Sequence, residues 1–358
     1  SKSGRRSDLR CELCDQSIGK SAAHTTHPEE TEEQKMTKGS PVPQSLLTFA
    51  DSAEKLARQY EPAAANDTIR GMLGCLKSRR LRDRISSDKR ALKALRALFD
   101  EAQRHEDVPV ALACSQAVEH LLRDPPARAA ICRATRPVDM ASALLEGRHA
   151  SEDTAAVACA RVSLQILWRV AEVSEARAAL AVDAEHLASA LLQVSQAHKS
   201  NVSVQRDACL AIRAFTEQSE LRSIVRGKEI AALVISAAEL ATSDTSSESA
   251  KDKAAAELAA ASVAAFQALQ SGSDRNSCTE LRPRAVAAAK SALKKFGTSS
   301  PMVKKWASAV ISSTADLQGP PEEAATPEES LGVPLLPPMQ LKNVVDVALL
   351  RRETAAEA

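Results

Sequence analysis

A pattern that recurs about every 45 residues constrains the fold of this chain more than any other feature of its sequence. An arginine followed three residues later by an aliphatic residue occurs at Arg82, Arg128, Arg177 and Arg222, in steps of 46, 49 and 45 residues. An apolar segment follows each arginine, and the segments 140–145 and 187–192 match at five of six positions. Repetition at this period predicts a chain built by repeating one structural unit.

Each unit contains three segments with helical periodicity. In the clearest copy, residues 222–227 form a short first segment and residues 230–235 an apolar second one. Gly227 stands between them, where the chain must turn sharply and glycine adopts the backbone at little cost. The longer third helices are anchored by small or apolar residues at Ile69, Cys114, Ala160, Ala208 and Ser262. Asp153 and Asn201 precede two third helices and are predicted to cap them.

These segments resemble the armadillo repeat family over about residues 45–317. Residues 222–235 resemble that family's first two helices with the glycine between them, and residues 208–215 resemble its third helix. The resemblance implies an all-α fold, a right-handed α-solenoid of armadillo-type three-helix repeats. A HEAT-like array is the alternative, although the second helix lacks the prolines that would favour it.

The pattern also predicts the domain organisation. Residues 1–43 are expected to be a disordered polar tail, because they are rich in Ser, Thr, Lys and Glu. The repeat domain covers 44–317, with a cap at 44–81 and repeats at about 82–122, 128–171, 177–217, 222–270 and 275–316. A Pro/Glu-rich linker (318–338) and an amphipathic C-terminal helix (339–358) follow. That helix either docks back on the repeats or binds another protein.

Composition argues against several classes of function. The net charge of +1 gives no overall attraction to nucleic acid, and aromatic residues, at 2%, are too few to stack on single-stranded bases. No run of eighteen apolar residues is present to span a membrane. We expect no enzyme, because the chain has no glycine-rich nucleotide loop, H-E-x-x-H motif or nucleophile elbow.

Cysteine usage favours an intracellular protein, either cytoplasmic or nuclear. Cys75, Cys114, Cys159 and Cys209 stand singly on helical faces, where reduced cysteines pack as small apolar residues. The chain begins at Ser1 rather than Met, without an apolar signal core, so a removed targeting segment and an organellar location stay open.

The armadillo resemblance implies a concave surface, lined by the third helices, that binds partner segments. In that family a Trp and an Asn four residues apart hold an extended peptide. The matching pairs here are Gly71/Cys75, Gln116/His120, Val162/Ile166, Leu210/Ala214 and Ala264/Ala268. None is Trp/Asn, which argues against a nuclear-import receptor for basic peptides. Small apolar pairs suit an amphipathic partner helix, and they equally suit packing inside the array.

Basic residues are concentrated in two regions. Residues 77–96 hold nine Lys or Arg against two Asp, and residues 281–305 hold seven against no acid. The candidate partner surface comprises Gln116, His120, Arg161, Val162, Ile166, Leu210, Arg213, Ala214 and Lys304. We expect a non-enzymatic scaffold or adaptor that binds acidic or amphipathic helical segments of proteins. A permanent structural subunit of a large cytoskeletal or organellar assembly is the alternative.

The N-terminal tail contains one candidate metal site. Cys11 and Cys14 are spaced to hold one zinc ion, and His24 and His27 could complete a tetrahedral set. The spacing of the histidines is shorter than in a zinc finger, so an exposed tail with accidental ligands is the alternative. With zinc, the chain would be a regulator that acts through this tail.

Overall fold

The computed structural model describes residues 44–146, 153–225, 227–243, 249–271 and 279–315. Within these ranges all regular secondary structure is helical and no strand occurs, which confirms the all-α prediction. Residues up to Val310 belong to one compact unit; of the second unit, which begins at Ile311, only the end of the last helix is described. No helix of the described residues has the length and hydropathy that a membrane span requires.

Fifteen α-helices are described, in the following order along the chain. The first are α1 (Gln44–Arg58), α2 (Pro62–Cys75), α3 (Arg79–Ser87), α4 (Lys89–Arg104), α5 (Val108–Leu122), α6 (Arg128–Thr135), α7 (Pro137–Leu145) and α8 (Thr154–Ala171). The others are α9 (Ser174–Val182), α10 (Ala184–Ala197), α11 (Val202–Glu217), α12 (Lys228–Ser243), α13 (Ser249–Ser271), α14 (Arg282–Phe296) and α15 (Pro301–Ala315). Two 3₁₀ helices, η1 (Pro125–Ala127) and η2 (Ser219–Val225), precede α6 and α12.

Corresponding helices of successive units contact one another. The third helices of the units are α2, α5, α8, α11, α13 and α15, and the first five contact each other in succession. The first helices α3, α6, α9 and η2 do the same, as do the second helices α7, α10, α12 and α14. Contact between neighbouring units is the packing of repeat proteins, in which each unit buries an apolar face that it cannot bury alone.

The interior is built mainly from the third helices. All five predicted anchors are at most 4% exposed: Ile69, Cys114, Ala160, Ala208 and Ser262. The predicted N-caps are confirmed as well, because Asp153 accepts from the amide of Ala155 and Asn201 from those of Ser203 and Val204. These caps satisfy amide donors that have no partner within the helix.

Each of the four recurring arginines donates to a main-chain carbonyl six residues before it. The bonds are Arg82 Nη1 to Leu76 O at 2.9 Å, Arg128 Nε to Leu122 O at 2.7 Å, Arg177 Nε to Ala171 O at 3.1 Å and Arg222 Nε to Thr216 O at 3.1 Å. These carbonyls end the preceding third helices, where no main-chain donor of the same helix follows. The arginines therefore fasten α2, α5, α8 and α11 to the start of the next unit.

Gly227 occupies the sharp turn that the sequence predicts. Its φ of +118° lies where residues with a side chain are strained, and a Cβ there would lie 3.1 Å from Oε2 of Glu229. The segment before it, η2, is a 3₁₀ helix rather than an α-helix. Glycine thus allows the chain to leave η2 and enter α12 directly.

The predicted packing role of cysteine holds for three of the four residues named. Cys114, Cys159 and Cys209 are buried and form no disulfide, whereas Cys75 is half-buried. Burial also raises the pKa of another free thiol, Cys132, to about 12, so this group stays protonated at neutral pH.

Several predicted features lie outside the described residues. They are the tail 1–43 with Cys11, Cys14, His24 and His27, the linker 318–338 and the C-terminal helix 339–358. The predictions of a zinc site and of docking by the C-terminal helix therefore stay predictions.

Candidate functional site

A cleft of about 500 Å³ is formed by three successive third helices, α2, α5 and α8. Pockets of 300–1,000 Å³ are typical of ligand sites. The residues of its lining that carry or can carry charge are Arg70 of α2 and Lys77 just after it, Glu119 and His120 of α5 and Arg123 at its C-terminal cap, and Arg161 of α8. The cleft is therefore a polar site formed by the third helices of three consecutive repeats.

Glu119 is the buried acid of this cleft, with its side chain only 4% exposed. It accepts from Nη2 of Arg123 at 2.9 Å and from Nε of Arg169, on α8, at 3.0 Å. Burial by itself raises the pKa of Glu119, but the hydrogen bond from Arg123 and the charges of Arg169 and Arg123 outweigh it and hold the pKa below its ordinary value. This carboxylate is therefore ionised, and its charge is already matched by arginines.

Asp207, on α11, makes a second buried junction and is 1% exposed. It accepts from Nε of Arg161 at 3.2 Å and from Nε2 of Gln165 at 2.8 Å, both on α8. Arg206 donates to it at 2.9 Å and to Glu257 of α13 at 2.6 Å. The third helices are thus joined by charge-assisted hydrogen bonds, which are stronger than neutral ones.

The cleft carries excess positive charge. Arg70, Lys77, Arg123 and Arg161 face one carboxylate, Glu119, which leaves a formal excess of three positive charges. Arg70 and Lys77 are exposed and form no ion pair with any described residue. Because the arginines of α5 and α8 are held by buried carboxylates, their charge is fixed in place before any ligand arrives.

His120 adds no charge to this balance at neutral pH. Burial lowers its pKa, and the nearby charges of Arg123 and Arg82 lower it further, although Glu119 acts in the opposite direction. The neutral imidazole can donate one hydrogen bond and accept another.

Beyond the cleft the predicted surface residues are in different surroundings. Arg213 pairs with Glu217 at 2.7 Å and lies over the ring of Trp306, 5.0 Å from its centroid. Leu210 is partly exposed, and Lys304 is exposed on α15. The structure does not bring these residues into the cleft.

The predicted apolar surface is corrected by the burial of its members. Ile166 is 0% exposed and Ala214 is 8% exposed, so these two residues pack within the array, which is the alternative that the sequence left open; Val162, also 8% exposed, borders the cleft. On α8 the polar residues Arg161 and Gln165 line the cleft, one position before the predicted pair. Their bonds to Asp207 fix this face of the helix.

Gln116, His120 and Arg161 of the predicted surface do line the cleft, together with the edge of Val162. Sequence reasoning missed Arg70, Gly74, Lys77, Glu119, Arg123 and Gln165. The sequence does contain a signal for the charged residues of this face, because residues of opposite charge on successive third helices are separated by about one repeat. The bonded pairs Arg161/Asp207, Glu119/Arg169 and Arg206/Glu257 are 46, 50 and 51 residues apart.

Within the part of the chain that the structure describes, no group of three or more His, Cys, Asp or Glu is placed to hold a metal ion. Comparison with family models, curated proteins and solved structures found no match for this chain.

Proposed function

We propose that this chain is a non-enzymatic protein-binding scaffold or adaptor, with a right-handed α-solenoid of armadillo type, and that it binds an acidic segment of a partner on its third helices. The recurring arginine bonds and the contacts between corresponding helices support the repeat architecture. The cleft between α2, α5 and α8 is the binding site in this proposal.

The observation that carries the proposal is the charge of the cleft. Four cationic side chains, on or directly after three successive third helices, face one carboxylate that is already paired. A cleft of one sign attracts ligands of the other and raises their rate of association. The buried state of Ile166 and Ala214 favours an acidic partner over an amphipathic helix, because those positions offer no apolar surface to bury.

The experiment measures binding of a fluorescent glutamate-rich peptide to the full chain by anisotropy. We expect binding that weakens as salt is added, because exposed charges are screened within about 10 Å at 0.1 M salt. Arg70→Gln with Lys77→Gln should weaken it by about tenfold, since both side chains are exposed and lack ion pairs among the described residues.

Lys294→Gln is the control, because it removes one charge from an exposed position on α14, away from the cleft lining. It should leave the affinity unchanged. The proposal fails if the peptide does not bind at low salt, or if the control weakens binding as much as the cleft variant does.

A further inference from the structure

The positive excess of the cleft does not continue onto the next third helix, α11. On this helix, Arg206 is paired with Asp207 and Glu257, and Arg213 with Glu217. An extended acidic peptide would gain most from a continuous line of unpaired cations, and the paired arginines of α11 interrupt such a line. A compact ligand group with more than one negative charge fits the distribution better.

The arginines of the cleft keep donors for such a group. Arg123 uses Nε and Nη2 to hold Glu119, and Arg161 uses Nε to hold Asp207. Nη1 of Arg123 and both terminal nitrogens of Arg161 make no hydrogen bond to any described residue. Guanidinium forks held in this way match the oxygens of a phosphate group, which accepts several bonds at once.

A bare stretch of helix lies beside these cations. Gly74 lines the cleft near the end of α2, and a Cβ added there would meet no atom within 4 Å. Glycine inside a helix costs stability relative to alanine, and here the packing of the protein does not require it. The open space allows the main chain of a ligand to approach α2 closely.

We propose that the cleft binds a phosphorylated side chain within a partner protein segment, with the phosphoryl group among Arg70, Lys77, Arg123 and Arg161 and the segment's main chain against Gly74. This inference rests on the proposed function and names its ligand class. A phosphate monoester carries close to two negative charges at neutral pH, whereas Asp or Glu carries one. The excess of three positive charges therefore favours the phosphorylated form of a segment.

The test compares three short peptides that differ at one position, which holds serine, phosphoserine or aspartate in an otherwise uncharged sequence. Binding to the full chain is measured by anisotropy. We expect the phosphoserine peptide to bind at least about tenfold more tightly than the aspartate peptide. The serine peptide should have the lowest affinity of the three. Arg70→Gln should remove most of that preference, and Lys294→Gln should keep it.

The outcomes separate this inference from the proposed function. Equal binding of the phosphoserine and aspartate peptides, with the glutamate-rich peptide still bound, overturns the phosphoryl ligand and leaves the acidic one. Loss of all peptide binding overturns both. If inorganic phosphate binds as tightly as the phosphoserine peptide, the proposal that the ligand is a protein segment is wrong. It is also wrong if the chain binds vesicles that contain phosphoinositides more tightly than it binds the peptide.

Gly74→Ala tests the close approach to α2 with a variant that the open space at this position allows to fold. We expect its unfolding midpoint to rise, because alanine is the better helix former and has room there, while affinity for the phosphoserine peptide falls about threefold to tenfold. Gly71→Ala is the matched control: it is exposed on the same helix, also has open space, and does not line the cleft. Unchanged affinity in Gly74→Ala overturns the close approach to α2.

Discussion

Single arginines mark the start of four units of this chain. Arg82, Arg128, Arg177 and Arg222 all donate to the end of the preceding third helix, at the same spacing of six residues. Because the carbonyls of a helix end have no donor within the helix, one side chain both satisfies a polar group and fixes the direction of the next segment. This role explains why the arginine recurs while its neighbours vary.

Replacement of one such arginine should therefore cost stability. We expect Arg222→Ala to lower the free energy of unfolding by about 1–3 kcal/mol, the range for a charge-assisted hydrogen bond whose acceptor is left without a partner. Urea unfolding followed by circular dichroism measures it. Arg133→Ala, at an exposed position on α6, is the control and should change stability little. Equal effects of the two variants would show that the recurring bond has no special role.

Glu119 makes stability depend on pH. Its pKa is lower in the folded chain than in the unfolded one, because the arginines outweigh the effect of burial. The stabilisation is therefore fully present above the unfolded pKa of about 4.3 and is lost as pH falls through the folded value. Glu119→Gln should be about 1–3 kcal/mol less stable than the parent chain at about pH 7.

The difference should shrink as the pH falls below the unfolded pKa of about 4.3, because the unfolded chain then binds protons that the paired carboxylate of the folded chain does not. Urea unfolding at pH values above and below this pKa measures it. Glu106→Gln, at an exposed position, controls for the loss of one negative charge. A difference that stays constant across this range would contradict the ion-pair role of Glu119.

At the level of the element, the sequence predicts the positions of the third helices well but not the faces that they turn to the cleft. Buried anchors such as Cys114 and Ala208 and caps such as Asn201 are local signals, since each depends on residues within one or two turns. Which side of α8 lines the cleft depends on Asp207, a full repeat away. Repeat spacing alone therefore predicted the pair Val162 and Ile166 for the partner surface. In the structure the corresponding polar pair in the cleft is Arg161 and Gln165, one residue earlier.

The same limit explains why the candidate site was only partly predicted. Gln116 and His120 were predicted from their place in the repeat and Arg161 from its charge on a third helix, but Arg70, on the helix of the cap, and Lys77, just after that helix, had no counterpart in another repeat to indicate them. Their importance comes from charge balance: they are exposed cations without ion pairs among the described residues, while Arg206 and Arg213 are neutralised. The charge balance of the cleft can be worked out only when the acid that pairs with each arginine is known.

In the molecule as a whole, apolar packing and buried ion pairs occur on the same row of third helices. Apolar and small residues hold neighbouring units together, and Glu119 and Asp207 tie successive third helices across the polar face. In an array of this kind each unit interacts mainly with its neighbours. A ligand at the cleft contacts three consecutive third helices and should stabilise them more than the rest.

The most direct test of this account is hydrogen exchange of the full chain with and without the phosphoserine peptide. We predict slower amide exchange in α2, α5 and α8, and unchanged exchange in α12 and α14. The reason is that α2, α5 and α8 contribute to the lining of the cleft, whereas α12 and α14 do not. Peptide binding without protection of α2, α5 and α8, or with protection centred on α12 and α14, would contradict it.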